Sequence, residues 1–107
     1  MSAATSVDTI LNFRRELNSV DEQIIVLLGR RYEICRAVGH YKREHDIPMM
    51  QPGRVAEVKE RCARLAREHH VDAEFAVRLF AMIIDEACRM EDEIIEQTRT
   101  ASSSSGG

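Results

Sequence analysis

The sequence predicts an all-α protein with three helices per chain and a very long first helix, assembled as an intertwined homodimeric helical bundle. Its 107 residues include only 2 prolines and 5 glycines, too few turn-forming residues for a sandwich of short strands. Its apolar residues, within a hydrophobic share of 44%, recur at alternating intervals of three and four, the spacing of one helix face. The length fits a single domain.

The first helix is predicted from about Val7 to about Glu44, a stretch that no proline interrupts. Gly29 and Gly39 each weaken it by about 1 kcal/mol relative to alanine. Such a helix is roughly 55 Å long, whereas a compact domain of 100 residues is about 27 Å across. A second copy of the chain is therefore expected to cover its apolar seam. That seam comprises Ile10, Phe13, Leu17, Val20, Ile24, Leu27, Ile34, Val38 and Tyr41.

Two shorter helices follow a proline-containing segment. Pro48 and Pro52 disfavour helix in the residues before them, so they are expected to end the first helix. The second helix is predicted from Arg54 to His69, and the third from near Asp72, a good N-cap residue, to about Thr98. Their apolar faces comprise Val55, Val58, Cys62 and Leu65 in the second helix and Ala73, Val77, Phe80, Ile84, Ala87 and Ile94 in the third.

The domain organisation follows from these elements. A disordered N-terminus is expected over residues 1–6, the helical domain over 7–99, and a flexible Ser/Gly tail over 100–107.

A net charge of -3 and an aromatic share of 5% without tryptophan argue against nucleic-acid binding. No apolar run approaches 18 residues, so no membrane span is expected.

The cysteines and histidines predict neither a disulfide framework nor a metal site. The three cysteines are widely spaced, which favours free thiols in a reducing compartment. With no visible signal peptide, a cytoplasmic location is expected. The histidine spacings do not suit a zinc site, and no metal or cofactor is expected. The cysteines are Cys35, Cys62 and Cys88, and the histidines are His40, His45, His69 and His70.

Two charged residues stand where the helix faces predict apolar ones. Arg31 interrupts the seam of the first helix, and Glu91 is the ionisable member of the third helix's face. A charge among apolar neighbours is costly unless it is paired or meets a ligand. One interpretation is that Arg31 and Glu91 pair with each other, or that Arg31 reaches solvent. The other is that both face a bound ligand.

Further cations favour a ligand. Lys42 follows Arg31 by eleven residues, so the two share a helix face roughly 16 Å apart along its axis. Arg14 flanks the same seam, and Arg54 opens the second helix, where free backbone N–H groups favour anions. Guanidinium groups hold carboxylates with two parallel hydrogen bonds. These features predict a small polyanion inside the bundle and, if the protein is an enzyme, catalysis by positioning and electrostatics.

Several stretches occur in a characteristic order: Arg14 with Leu17 and Val20-Asp-Glu-Gln-Ile24, Leu27-Leu-Gly-Arg-Arg31, Val38-Gly-His-Tyr-Lys42, Pro48 to Arg54, His69-His-Val-Asp-Ala73 and Arg78-Leu-Phe-Ala-Met-Ile-Ile84. In that order and spacing, from about Ile10 to Gln97, the chain resembles the all-helical class of chorismate mutases. The resemblance implies an isomerase acting on a dicarboxylate, and a dimer of three-helix chains with two active sites.

The resemblance also implies roles for the cations. Arg14 is expected to reach into the partner's site and hold a substrate carboxylate, and Arg31 to hold a carboxylate of the same dianion. Lys42 is expected to contact the ether oxygen and a carboxylate, and Arg54 to help close the pocket. Val38, Ile84 and Cys88 are expected to line it.

Glu91 falls where the family has Gln or Glu facing the ether oxygen. In the [3,3] rearrangement the C–O bond breaks ahead of C–C bond formation, so negative charge grows on that oxygen. A hydrogen-bond donor there stabilises the transition state more than the ground state. Glutamate donates only when protonated, and burial is expected to raise its pKa.

Three departures bear on the substrate. Chorismate mutases usually carry acidic residues where this chain has Gln51 and Val55, and a small hydroxylic residue where it has Ala87. The stretches from Pro48 to Val55 and around Glu91 are similar to the branch that rearranges 4-amino-4-deoxychorismate to 4-amino-4-deoxyprephenate, a step toward antibiotic precursors. The alternatives are a chorismate mutase proper, an isochorismate-pyruvate lyase, and a non-catalytic helical dimer. A regulatory partner enzyme is compatible with the sequence but is not marked in it.

Overall fold

Three α-helices make up the structure, a computed structural model that describes residues 5–48 and 53–105, with side chains up to residue 96. Helix α1 spans Ser6–Glu44, α2 spans Arg54–Glu68 and α3 spans Ala73–Ser105. Over those residues no strand occurs, which confirms the all-helical prediction with a long first helix. Within the same ranges, none of the helices combines the length and the hydropathy that a membrane crossing requires.

A reciprocal cap begins α1. The Asp8 N–H donates to Thr5 Oγ1 at 3.1 Å, and the Thr5 N–H donates to Asp8 Oδ2 at 3.4 Å. This arrangement satisfies N–H groups that have no partner inside the helix. The predicted start at Val7 is correct to within one residue. Of the predicted disordered N-terminus, residues 1–4 lie outside the described residues.

Helices α1 and α2 end in the same way. The Ile47 N–H donates to the Lys42 carbonyl at 2.9 Å, and the Val71 N–H donates to the Ala66 carbonyl at 2.8 Å. Such bonds, which span five residues, define a Schellman C-cap. A residue with positive φ precedes the donor in each case, Asp46 at 53° and His70 at 59°. The cap therefore ends α1 at Glu44, where the sequence predicts its end, before Pro48 is reached.

Asp72 caps α3 as predicted, because its Oδ2 accepts the Phe75 N–H at 2.9 Å. The predicted end near Thr98 was wrong, since α3 continues to Ser105 and includes part of the expected Ser/Gly tail. No glycine or proline occurs between residues 73 and 105. Serine lowers helix propensity by only a few tenths of a kcal/mol, so nothing in that stretch breaks the helix.

The core within the chain lies where α2 packs against α3. Mostly small residues fill it, which lets the two helix axes come close together. The buried face of α2 is rotated slightly from the predicted one, since Ala66 is buried whereas the predicted Leu65 is exposed. The buried hydrophobic residues are Cys62, Ala66, Ala76, Ile83 and Ala87.

Helix α1 contributes to two compact units, one up to residue 33 and one from residue 34 onward. Its predicted seam lies exposed in the single chain, with Phe13 at 56% and Leu17 at 60% of their full exposure. Burial of a side chain of this size is worth about 1.5–3 kcal/mol. The seam is thus available to a partner, and its cover by a second copy stays a prediction. Among the described residues of α1, Gly39 is buried.

Candidate active site

The second unit contains a buried acid on α3. Glu91 is only 9% exposed. Among the residues that the structure describes, it is the one charged residue that is buried. On α3 it follows Ala87 by one turn and precedes Ile94 by almost one turn, so all three share a face. The position agrees with the apolar face that the sequence predicts. Because a carboxylate loses hydration there, the site favours the neutral acid.

The backbone of α1 lies directly against this acid at Gly39. A methyl group added at Gly39 would come 3.3 Å from Glu91 Cγ and 3.4 Å from Ile94 Cδ1. The contact with Glu91 Cγ would be tighter than ordinary van der Waals packing, whereas that with Ile94 Cδ1 lies at the short end of the ordinary range. The absence of a side chain at this position is therefore what allows α1 to approach Glu91 so closely.

Lys42 supplies positive charge to the same place. It follows Gly39 by three residues, which puts the two on neighbouring positions of one face of α1. Desolvation raises the pKa of Glu91, the charge of Lys42 opposes this, and the charge of Asp92 adds to the rise. The net effect is a raised pKa. Glu91 therefore keeps its proton to a higher pH than an exposed glutamate, next to a lysine ammonium.

Cys88 adds a thiol to this cluster. The thiol is half-buried, and desolvation is the main cause that raises its pKa, followed by the negative charges of Glu91, Asp92 and Asp85. Lys42 opposes the rise. A thiol with a raised pKa is a poor nucleophile. The Cys88 thiol therefore stays neutral to a higher pH than an exposed cysteine.

The other predicted pocket residues that the structure describes in the second unit are distributed over all three helices. Ala87 is buried and Ile84 is half-buried on the Glu91 face of α3, while Val38 on α1 is exposed. Val55 is half-buried in the first turn of α2. Gln51 lies outside the described residues.

The three predicted arginines have different surroundings. Arg54 Nη1 lies 3.1 Å from Glu57 Oε1, with both side chains largely exposed. An exposed ion pair of this kind contributes little to stability, so Arg54 can exchange Glu57 for a ligand. Arg14 is exposed and Arg31 is half-buried, and both belong to the part of α1 in the first unit.

A cavity of about 410 Å³ lies elsewhere, between α2 and α3. It includes none of the residues predicted for the site. Its walls comprise Ala63, Arg67, Ala73, Glu74, Val77 and Arg78.

Sequence reasoning missed Gly39 as a site residue and counted it only as a weak point of the helix. A signal was present, because a glycine one turn before Lys42 lies on the face that carries the lysine. Helical periodicity could not show that α3 would place Glu91 against it.

Comparison with known proteins agrees with this picture. A family model described as chorismate mutase type II matches residues 13–92. The 4-amino-4-deoxychorismate mutase of Streptomyces venezuelae is 39% identical over 93 residues, covering 87% of this chain and 90% of that protein. The 4-amino-4-deoxychorismate mutase of Streptomyces pristinaespiralis is 40% identical over 92 residues, 86% of this chain and 71% of that protein.

A more distant relative is named as a bifunctional protein. The bifunctional chorismate mutase/prephenate dehydratase of Escherichia coli K12 is 30% identical over 93 residues, covering 87% of this chain and 24% of that protein. The chain belongs to the chorismate mutase type II family. It is an enzyme of the chorismate mutase type, an isomerase, as the sequence predicted, and not a non-catalytic helical dimer.

The charge of Lys42 should control the proton of Glu91. We expect Lys42→Gln to raise the pKa of Glu91 further, because it removes the positive charge that opposes desolvation. A titration of the Glu91 side-chain carboxyl by ¹³C NMR measures this. Lys59→Gln, which makes the same change on α2, should leave that pKa unchanged. An unaltered Glu91 titration in Lys42→Gln would contradict the electrostatic effect of Lys42 on Glu91.

Proposed function

We propose that the chain catalyses the [3,3] rearrangement of 4-amino-4-deoxychorismate to 4-amino-4-deoxyprephenate. Two relatives at 39% and 40% identity carry the name of this activity. A relative named for chorismate itself, the bifunctional protein of Escherichia coli K12, is 30% identical. The second candidate is the rearrangement of chorismate to prephenate, which the family description favours. Because the reaction is intramolecular, it requires no cofactor.

The observation that carries the proposal is the acid of α3 held beside the lysine of α1. As the ether C–O bond breaks, its oxygen gains negative charge. Protonated Glu91 donates a hydrogen bond to that oxygen, and the Lys42 ammonium adds a second donor with a positive charge. Donors fixed in place before the reaction stabilise the charge that develops in the transition state without reorganisation. The raised pKa of Glu91 supports this role, since an ionised glutamate could only accept.

The arginines hold the substrate in a reactive shape. We assign Arg31 and Arg54 to substrate carboxylates, because a guanidinium binds a carboxylate through two parallel hydrogen bonds. Fixing both carboxylates brings the two carbon atoms that must bond close together, which removes much of the entropic part of the barrier. Arg54 would exchange its exposed pairing with Glu57 for the substrate.

A second copy of the chain completes the site. The seam of α1 between Ile10 and Leu27 is exposed and apolar over its whole length, and a matching α1 provides apolar cover of equal length. In this homodimer Arg14 acts in the partner's site. An exposed position in the single chain, which is what Arg14 has, suits that role.

The remaining predicted residues select the substrate. Gln51 and Val55 stand where chorismate mutases usually carry acidic residues that hold the ring hydroxyl, and Ala87 stands where a small hydroxylic residue is common. Val38, Ile84 and Cys88 provide walls around the ring. A cytoplasmic site of action is part of the same proposal, since all three cysteines are free thiols.

A turnover assay with three substrates tests the proposal. Purified protein is given chorismate, 4-amino-4-deoxychorismate or isochorismate, and the products are resolved by chromatography. We expect the highest kcat/KM with the amino compound. Arg31→Ala should abolish turnover because it removes a carboxylate ligand, whereas Arg30→Ala, the same change at the exposed neighbouring position, should not. A preference for chorismate, or pyruvate release from isochorismate, would show that the proposed substrate is wrong.

Subunit mixing tests the shared site. Arg14→Ala and Arg31→Ala homodimers should each be inactive, because each lacks one carboxylate ligand in both sites. In a mixed dimer, one site contains both defects and the other contains neither. We expect about a quarter of the normal activity when equal amounts exchange statistically and about half of the dimers are mixed. Absence of recovery after exchange has been demonstrated by mass spectrometry would contradict the assignment of Arg14 to the partner's site.

The pH dependence of kcat tests the acid. Only the protonated Glu91 donates, so kcat should be constant below its raised pKa and fall about tenfold per pH unit above it. Glu91→Gln should flatten the profile, because an amide donates without titrating. Asp92→Asn should keep the dependence but move its midpoint down, since the charge of Asp92 raises the pKa of Glu91. A flat profile in the unmodified enzyme would exclude the acid role.

A further inference from the structure

We infer that Gly39 is a positioning residue of this enzyme, because its missing side chain fixes where the Glu91 side chain lies beneath α1, one turn from Lys42. The inference rests on the proposed role of Glu91 and deepens it. It assigns to a backbone position the task of placing the proton donor.

Backbone conformation does not explain a glycine at this position. Gly39 lies inside α1 and does not have a positive φ, which among the described glycines occurs only at Gly53. Alanine has the higher helix propensity in such a place. Gly29, in the same helix, would accept a methyl group with nothing within 4 Å. The requirement for glycine at position 39 therefore comes from its neighbours.

Those neighbours are the acid and the residue one turn after it. A methyl group at Gly39 would lie 3.3 Å from Glu91 Cγ, 3.7 Å from Glu91 Cβ and 3.4 Å from Ile94 Cδ1. To relieve the first contact, Glu91 Cγ must move by a few tenths of an ångström. The carboxyl group is attached to that carbon, so the donor moves with it. Its distances to Lys42 and to a substrate oxygen then change.

The first experiment compares two glycine-to-alanine variants of α1. We expect Gly39→Ala to lower kcat about tenfold with little change in KM, because the donor is displaced while the carboxylate ligands remain in place. Gly29→Ala should leave both constants unchanged. Both variants should keep full helicity by circular dichroism. An unchanged kcat in Gly39→Ala, or an equal loss in Gly29→Ala, would overturn the inference.

A double-variant cycle separates positioning from general disruption. Glu91→Ala removes both the donor and the Cγ that the methyl group would meet. If Gly39 acts through Glu91, then adding Gly39→Ala to Glu91→Ala should change kcat by less than about twofold. A further tenfold loss in that background would show that the methyl group disturbs the site by another route, which overturns the inference.

Unfolding measurements keep this result apart from the proposed function. Urea unfolding midpoints are measured for the unmodified enzyme, Gly39→Ala, Glu91→Ala and the double variant. They report the contact between positions 39 and 91 without reference to catalysis. If Glu91→Ala retains full kcat, the acid role fails, whatever the urea midpoints show, and the positioning inference fails with it. If Glu91→Ala lowers kcat but the four midpoints are additive, the acid role stands, while the contact and the inference built on it fail.

Discussion

The first helix carries an apolar seam whose side chains are exposed in the single chain along the first unit. Its seam from Ile10 to Leu27 is exposed, while the buried core belongs to α2 and α3 and consists mostly of small residues. Apolar burial is the main favourable term in folding, and a domain of about 100 residues has little stability to spare. In the proposed dimer, a second copy covers the seam of α1 and so stabilises the chain. The same dimer brings Arg14 to the partner's site, so that the chemistry also depends on it.

The second unit buries an acid without the large desolvation cost of a buried carboxylate charge. Glu91 is buried between α3 and the end of α1, and desolvation raises its pKa. In the protonated form it loses far less hydration than a carboxylate would. The neighbouring Lys42 opposes the rise, so the two effects together set the pH at which the proton leaves. The condition that makes burial tolerable, a neutral carboxyl group, is also the condition in which the group can donate.

Close helix packing depends on small residues at the contact points. Ala66 on α2 and Ala76 on α3 allow those two helices to approach, and Gly39 on α1 allows the same at Glu91. Helix axes lie nearer to each other when side chains at the contact are small. A site assembled from groups on different helices needs such contacts, because rigid backbone neighbours restrict where a flexible glutamate side chain can lie.

Local patterns in the amino-acid sequence were enough to locate the three helices and the residues that interrupt their apolar faces. Alternating spacings of three and four located α1, α2 and α3, and Asp72 marked the start of the third. These features are local, so propensity and capping fix them without tertiary contacts. The end of α3 was not predicted, because a run of serines without glycine or proline contains no strong stop signal. The charge at Glu91 was recognised as unusual from its place in the apolar face.

The neighbours that pack against each helix face became known from the folded structure alone. A helical period gives the direction of a side chain but not the neighbour that covers it. For that reason the sequence treated Gly39 as a weak point, whereas the structure shows it against Glu91. The balance between desolvation and Lys42 on the pKa of Glu91 also depends on distances between helices. Those distances come from packing between residues that are far apart in the chain, which no local pattern records.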